Sequence, residues 1–307
     1  MKAVTINKYG DNNVVEIRDL SRPRPGLSEV LIRVRAAGVN PVDWKIRDGM
    51  LRSLLGQSFP IVLGRECAGE VVETGTAAKL FKEGDEVIAI THMLNPGSFA
   101  EYAVAPEQTV YPKPANISFE EAASIPIAGL TALRSLRDAG EISAGKKVLV
   151  VGAAGGVGHF AVQIARVFGA KVTGVCKGEN AAFVKGLGAD EVIDYTREDF
   201  TRGKERYDII FDAVAKRTFE ECKDVLTPNG IYIRTLPNDG LTEEGGKKAK
   251  GVPGGPTPED MEWMKDQIEA GRIRIAIDRV YPLDEAREAL AYSEAERARG
   301  KIVLKAA

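Results

Sequence analysis

The chain has 307 residues, with 42 basic and 44 acidic side chains, a formal charge of −2, and 44% hydrophobic and 28% charged residues. That length buries roughly 75% of the surface its unfolded form exposes and commonly divides into about two domains, while the balanced charge gives no electrostatic case for binding nucleic acid or an anionic membrane. Cys67, Cys176 and Cys222 are odd in number and scattered, which argues against a disulfide framework and for reduced thiols in a cytoplasm. Residues 1–10 carry no apolar core of a secretion signal. One uncharged run, 148–165, reaches the length of a membrane span, but its four glycines, His159 and Gln163 read better as a strand, a turn and a helix.

Taken in chain order, the first 110 residues are short strands punctuated by Gly and Pro: 30–34, 69–72, 86–90 and the alternating 99–104. Many short strands with turn signals predict a compact β domain, sandwich or barrel. The character changes at Ser118, whose following Glu120 and Glu121 open a helix. Strands then alternate with helices: strands at 147–151, 171–176, 192–195, 207–211 and 230–235, helices at 159–168 and 181–187. That alternation implies βαβ units and a parallel sheet. Residues 238–256, rich in Gly, Lys and Pro, read as a surface loop or, beside a cofactor domain, a lid. The tail predicts a helix at 259–270, a strand at 276–280, a second helix and a final strand at 302–304, which are expected to rejoin the N-terminal domain.

The strongest local signal is Val148-Leu-Val-Val-Gly152-Ala-Ala154-Gly155-Gly156-Val157-Gly158. A strand turning sharply into a helix needs residues without a Cβ at the turn. The helix N-terminus then offers free N–H groups and a positive dipole end to a pyrophosphate. Strand before, helix after, within a βαβ unit, is the context that turns a glycine motif into a dinucleotide site. An NAD site places a carboxylate at the end of the next strand. Here that strand ends Cys176-Lys177-Gly178, with Glu179 the nearest acid, so Lys177 is placed to meet a 2′-phosphate and NADP(H) is favoured over NAD(H). The plain alternative for Lys177 is a solvated loop lysine.

With these residues in view, the sequence resembles the zinc-independent medium-chain dehydrogenases/reductases, in the quinone oxidoreductase and enone reductase branch. The resemblance spans essentially the whole chain. It is carried by Ala37-Gly-Val-Asn40-Pro-Val-Asp43-Trp-Lys45, Leu63-Gly-Arg-Glu66-Cys-Ala-Gly69-Glu-Val-Val, Gly84-Asp-Glu-Val, Gly97-Ser-Phe-Ala-Glu-Tyr-Ala, Ala128-Gly-Leu-Thr131-Ala, the glycine motif, and Gly186-Leu-Gly-Ala-Asp-Glu-Val-Ile-Asp-Tyr195. It implies an α/β fold in which a Rossmann dinucleotide-binding domain, 123–256, is inserted into a β-rich GroES-like catalytic domain, 1–122 and 257–307. It also implies a homodimer. The zinc branch has a cysteine where Asn40 stands and a histidine where Arg65 stands, so a catalytic metal is not expected.

Carried over residue by residue, the resemblance places Asn40 and Thr131 near the nicotinamide, and the turn Gly152, Ala154, Gly155, Gly156, Val157 and Gly158 against the pyrophosphate. It places Cys176, Lys177, Asn180 and Tyr195 around the 2′-phosphate and adenosine, and returns Arg299 and Lys301 to the cofactor phosphates. The activity implied is NADPH-dependent reduction of an enone, an alkenal or a quinone. Hydride delivery to such a substrate pushes charge onto its oxygen, which needs a fixed donor. Lys45 is the candidate donor, and the Asn-Pro-Val-Asp-x-Lys form tips the reading towards enones. Asn40 is expected to orient substrate or ribose. The plain readings are a surface lysine after a turn, a turn asparagine before Pro41, a buried Trp44, a loop histidine at His92, a His159 packed on its helix, and a core cysteine at Cys67. A different class, an NADPH-binding redox sensor or structural protein without catalysis, remains as the alternative.

Overall fold

The computed structural model describes residues 1–56, 58–92, 95–235 and 242–306. The chain forms two compact units, 1–127 with 275–307, and 128–274.

The first unit begins with β1 (Lys2–Ile6), β2 (Val15–Asp19), β3 (Glu29–Val39), β4 (Ile61–Val62), β5 (Glu66–Thr74), β6 (Glu86–Ile90), β7 (Tyr102–Pro106) and β8 (Val110–Pro112). Its helices are α1 (Pro41–Arg47), α2 (Arg52–Leu55) and α3 (Phe119–Ala122); α4 (Pro126–Arg134) begins at its end. Alternating burial along β3 gives the strand two working faces, and it anchors the larger sheet by pairing antiparallel with both β5 and β7. Val30, Ile32, Val34, Cys67, Val71, Val87 and Phe99 fill the core beneath. At Gly38, opposite Glu66, an added Cβ would lie 2.2 Å from Glu66 Oε1 and 2.4 Å from the Ala123 carbonyl. Only glycine lets the Glu66 carboxylate lie against the strand there.

The second unit is a parallel sheet: β9 (Lys147–Val151), β10 (Lys171–Cys176), β11 (Glu191–Asp194), β12 (Tyr207–Asp212) and β13 (Leu226–Arg234), joined by β14 (Thr242–Glu244) and β15 (Lys247–Gly251). Its longer helices are α5 (Gly158–Val167) and α8 (Pro258–Glu269), with the shorter α6 (Ala181–Gly186) and α7 (Phe219–Cys222) between them. The order is β11-β10-β9-β12-β13-β15-β14, so the direction of winding reverses at β9, where open α/β sheets bind ligands outside the carboxyl ends. The chain then returns to the first unit as β16 (Ile277–Pro282), α9 (Ala286–Glu294) and β17 (Lys301–Lys305), with β17 antiparallel to β3.

Two sequence expectations are corrected. The segment 238–256 is not one loop. Its part 238–241 lies outside the described residues, but β15 pairs parallel with β13 and β14 pairs antiparallel with β15. The lysine-rich run Lys247-Lys-Ala-Lys250 conceals an inner strand, bonded through its backbone to β13 on one side and β14 on the other, while Lys250 Nζ reaches the Ala139 carbonyl at 2.8 Å. The domain boundary also moves from 256 to 274, because α8 packs with the parallel sheet. Trp263 stacks on Phe168 at 5.5 Å, Arg137 pairs with Asp260, and the Gln163 side chain brackets the Arg274 backbone at 2.8 and 2.9 Å. Asp260 is buried and also accepts the Thr257 N–H at 2.9 Å as the helix cap. Asp260→Ala should therefore lose roughly 2–4 kcal/mol in urea unfolding, through a lost cap and a stranded arginine pair.

Candidate active site

Two clusters carry chemistry, one in each unit. In the first unit, β3 and β5 bring Asn40 and Glu66 side by side, and β17 delivers Lys301 between them. Lys301 Nζ lies 2.8 Å from Glu66 Oε1 and donates to Asn40 Oδ1 at 2.6 Å; Asn40 Nδ2 donates to the same Glu66 oxygen at 2.7 Å. The second Glu66 oxygen accepts the Ile127 N–H at 2.6 Å, a carboxylate at the first turn of α4, where it meets the positive end of the helix. Lys301 is 2% exposed and Glu66 0%. The expectation that Lys301 reaches cofactor phosphates is thereby corrected: its ammonium is committed inside the first unit. The amide of Asn40 is likewise committed at both ends, which makes it a holder of neighbouring groups. Arg299 is exposed, and its backbone N–H donates to Asp278 Oδ2 at 3.2 Å.

Asn40 also starts α1. Its backbone N–H donates to Asp43 Oδ2 at 2.7 Å, and Pro41 supplies a first residue that needs no N–H partner. Asp43 is fully buried, and that burial raises its carboxyl to about 7, with Glu66 adding to the rise and Arg65 and Lys301 opposing it. Burial also lowers the Arg65 guanidinium from its ordinary value, against the pull of Asp43 and Glu66. Lys45 lies on the same helix, its ammonium 5.4 Å from the Trp44 ring centroid. It makes no ion pair with another described residue. Trp44 is half-buried against the core, its indole N–H without a hydrogen-bond partner among the described residues. Cys67 is core, and burial pushes its thiol up to about 12. His92 pairs with Glu29 at 2.6 Å.

In the second unit the glycine motif leaves β9 as expected. Gly152 has φ +75°, and an added Cβ would lie 2.7 Å from Val214. The N–H groups of Gly152 and Ala153 hold the end of β10 through the Val175 carbonyl at 3.1 and 3.0 Å. At Gly158 a Cβ would come within 2.0 Å of the Gly152 carbonyl, so α5 can approach the turn this closely only with glycine there. No side chain caps α5, and the N–H groups of Ala154, Gly156, Val157 and Gly158 meet no acceptor among the described residues. Such a row of donors at the positive end of a helix suits a pyrophosphate.

Cys176, Lys177 and Tyr195 stand at the adjoining carboxyl ends, with the Tyr195 N–H donating to the Cys176 carbonyl at 3.2 Å. Tyr195 is exposed, Asn180 half-buried, and Lys177 exposed with its ammonium 3.1 Å from Glu179. Thr131 is half-buried on α4.

Sequence reasoning missed two acids. Glu66 centres the first cluster, and its signal is a charged pair, Arg65-Glu66, at the entry to a largely apolar strand. Asp212 ends β12, fully buried, and accepts N–H groups of Arg217 at 2.8 Å and Val214 at 3.2 Å and the Tyr232 hydroxyl at 3.2 Å. Burial raises its carboxyl above the ordinary range. It fixes the loop that carries Val214 against Gly152.

Comparison with known proteins places both units. Residues 26–115 match the family model described as alcohol dehydrogenase GroES-like domain, and 187–304 match zinc-binding dehydrogenase. The chain is 38% identical to the chloroplast envelope quinone oxidoreductase homolog of Arabidopsis thaliana, over 99% of this chain and 98% of that protein. It is 36% identical to the 2-methylene-furan-3-one reductase of Solanum lycopersicum, over 99% of this chain and 79% of that protein. The solved quinone oxidoreductase from Coxiella burnetii superposes with a TM-score of 0.92 at 32% identity, covering 99% of each chain. The zinc in the second model's description does not suit the residues found here. The cluster around Asn40 contains two cationic side chains, Arg65 and Lys301, and its central carboxylate is already bound by an ammonium. Among the described residues no group of three or more His, Cys, Asp or Glu is arranged to hold a metal. No helix among them is long and apolar enough to cross a membrane.

The Asp43 carboxyl generates a pH prediction. The folded state keeps its proton up to about pH 7, whereas the unfolded chain releases it near the ordinary 3.8. Between those values the folded state binds the extra proton, so this residue's contribution to stability falls as pH rises. Asp43→Asn keeps an oxygen for the Asn40 N–H and removes the titration. In urea unfolding from pH 4 to 8, the variant should gain on the wild type by about 4 kcal/mol as pH rises, at ~1.4 kcal/mol per pH unit.

Proposed function

This chain belongs to the quinone oxidoreductase-like branch of the medium-chain dehydrogenase/reductase superfamily, a family of NAD(P)H-dependent oxidoreductases, and from that membership we propose that it is an NADPH-dependent reductase of α,β-unsaturated carbonyls, with quinones as alternative acceptors. The observation that carries the reading is the uncapped N-terminus of α5, with its row of unused N–H donors at the point where the sheet reverses. When bound there, the reduced nicotinamide dinucleotide would supply hydride.

The chain's own residues supply binding, placement and charge. The N–H groups of Ala154, Gly156, Val157 and Gly158 hold the pyrophosphate. Lys177 turns from Glu179 to the 2′-phosphate, an exchange between two exposed groups that costs little. Cys176, Asn180 and Tyr195 flank the adenosine. Thr131 lies near the nicotinamide. Lys45 stabilises the negative charge that develops on the substrate oxygen, because its ammonium is tied to no carboxylate among the described residues. Its helix is held in place by Asn40, itself clamped between Glu66 and Lys301. The quinone and the methylene-furanone that the two relatives are named for are both carbonyls conjugated to a double bond, which supports this reading.

The test is loss of NADPH absorbance with an acyclic enone, a cyclic enone, an alkenal and a 1,4-quinone, NADH in parallel. Enone turnover preferring NADPH is expected, with Lys45→Ala slower by at least about tenfold. Quinone turnover untouched by that change would remove Lys45 from catalysis, and unchanged absorbance despite tight NADPH binding would make the chain a binding protein. Lys177→Ala should raise KM for NADPH by about tenfold while leaving that for NADH in place; equal effects on the two would deny Lys177 its role.

A further inference from the structure

His159 is the second residue of α5 and is fully buried. Its ring Nδ1 lies 3.1 Å from the Gly155 carbonyl, and its backbone N–H donates to the same oxygen at 3.0 Å. A carbonyl oxygen only accepts, so Nδ1 carries the proton. The Phe160 ring, 4.1 Å away centroid to centroid, packs against the imidazole.

The peptide that follows Gly155 joins two glycines, the linkage with the least steric resistance to turning over. A trans peptide is planar, and its C=O and N–H point to opposite sides. Anchoring the Gly155 carbonyl towards the helix therefore directs the Gly156 N–H away from it, among the unused donors. If this peptide turned over, a carbonyl oxygen would face an incoming anion in place of the donor.

We propose that His159 is a positioning residue for the diphosphate of the dinucleotide: its Nδ1–H locks the Gly155–Gly156 peptide with the donor outward. The proposal rests on the cofactor reading above and assigns a role to a buried imidazole that this reading does not use.

The test compares His159→Asn with His159→Leu. Asparagine places its Nδ2 donor the same number of bonds from the backbone as Nδ1, whereas leucine fills a similar space without a donor. Dissociation constants for NADPH, and for adenosine 2′-phosphate, which lacks the diphosphate, are measured by calorimetry, with melting temperature alongside. His159→Leu should weaken NADPH by about fivefold, the worth of one neutral hydrogen bond, with adenosine 2′-phosphate unchanged and His159→Asn within about twofold of wild type. If His159→Leu does not fold, His159→Ala takes its place. Wild-type NADPH affinity in the leucine variant overturns the proposal, as does equal weakening of both ligands or an asparagine variant as weak as leucine. Failure of the wild type to bind NADPH at all would instead overturn the cofactor reading.

Discussion

Lys301 and Glu66 are opposite charges held almost entirely out of solvent, 2.8 Å apart. Neither is tolerable there alone, since an unpaired buried ion costs several kcal/mol. Their pairing therefore dictates what surrounds it. Gly38 must lack a side chain so that the carboxylate can lie on β3. Strand β17 must come back from the far end of the sequence and pair with β3 so that the ammonium arrives. Asn40 must turn its amide inward, donating to one partner and accepting from the other. Because Asn40 also begins α1, the same contact fixes the helix that carries Lys45. One ion pair thus closes a domain split in sequence and sets the geometry of a proposed active site.

The second unit solves a different problem. A dinucleotide needs donors that face outward and stay there, on a turn rich in the residue least able to hold a shape. Rigidity comes from behind the turn. Gly158 brings α5 against Gly152, Asp212 ties down the loop behind Gly152, and His159 grips the Gly155 carbonyl. The glycines permit the conformation, and buried polar side chains behind them select it.

Much of this was legible in the sequence. The glycine turn, the alternation of strand and helix, and the β-rich opening follow from residue periodicity and from where chains need glycine. The resemblance supplied the split first domain. What could not be read is instructive. The resemblance assigns Lys301 to the cofactor phosphates; only the pairing of β17 with β3 shows its ammonium held inside the first unit. Residues 247–251 read as a loop because a strand bonding through its backbone can be written in lysines. The helix 258–269 went to the wrong unit because its partners, Phe168, Arg137 and Gln163, lie far away in sequence. Burial of charge and long-range pairing are properties of the fold, and local pattern does not carry them.

The account depends most on the claim that Lys301 and Glu66 act as one unit. The direct measurement is a double-mutant cycle in urea unfolding with Lys301→Met, Glu66→Gln and the two combined. Each single change should cost roughly 3–5 kcal/mol by stranding its partner, and the double variant should lose no more than either single one. Losses that simply add would show two independent side chains and contradict the account.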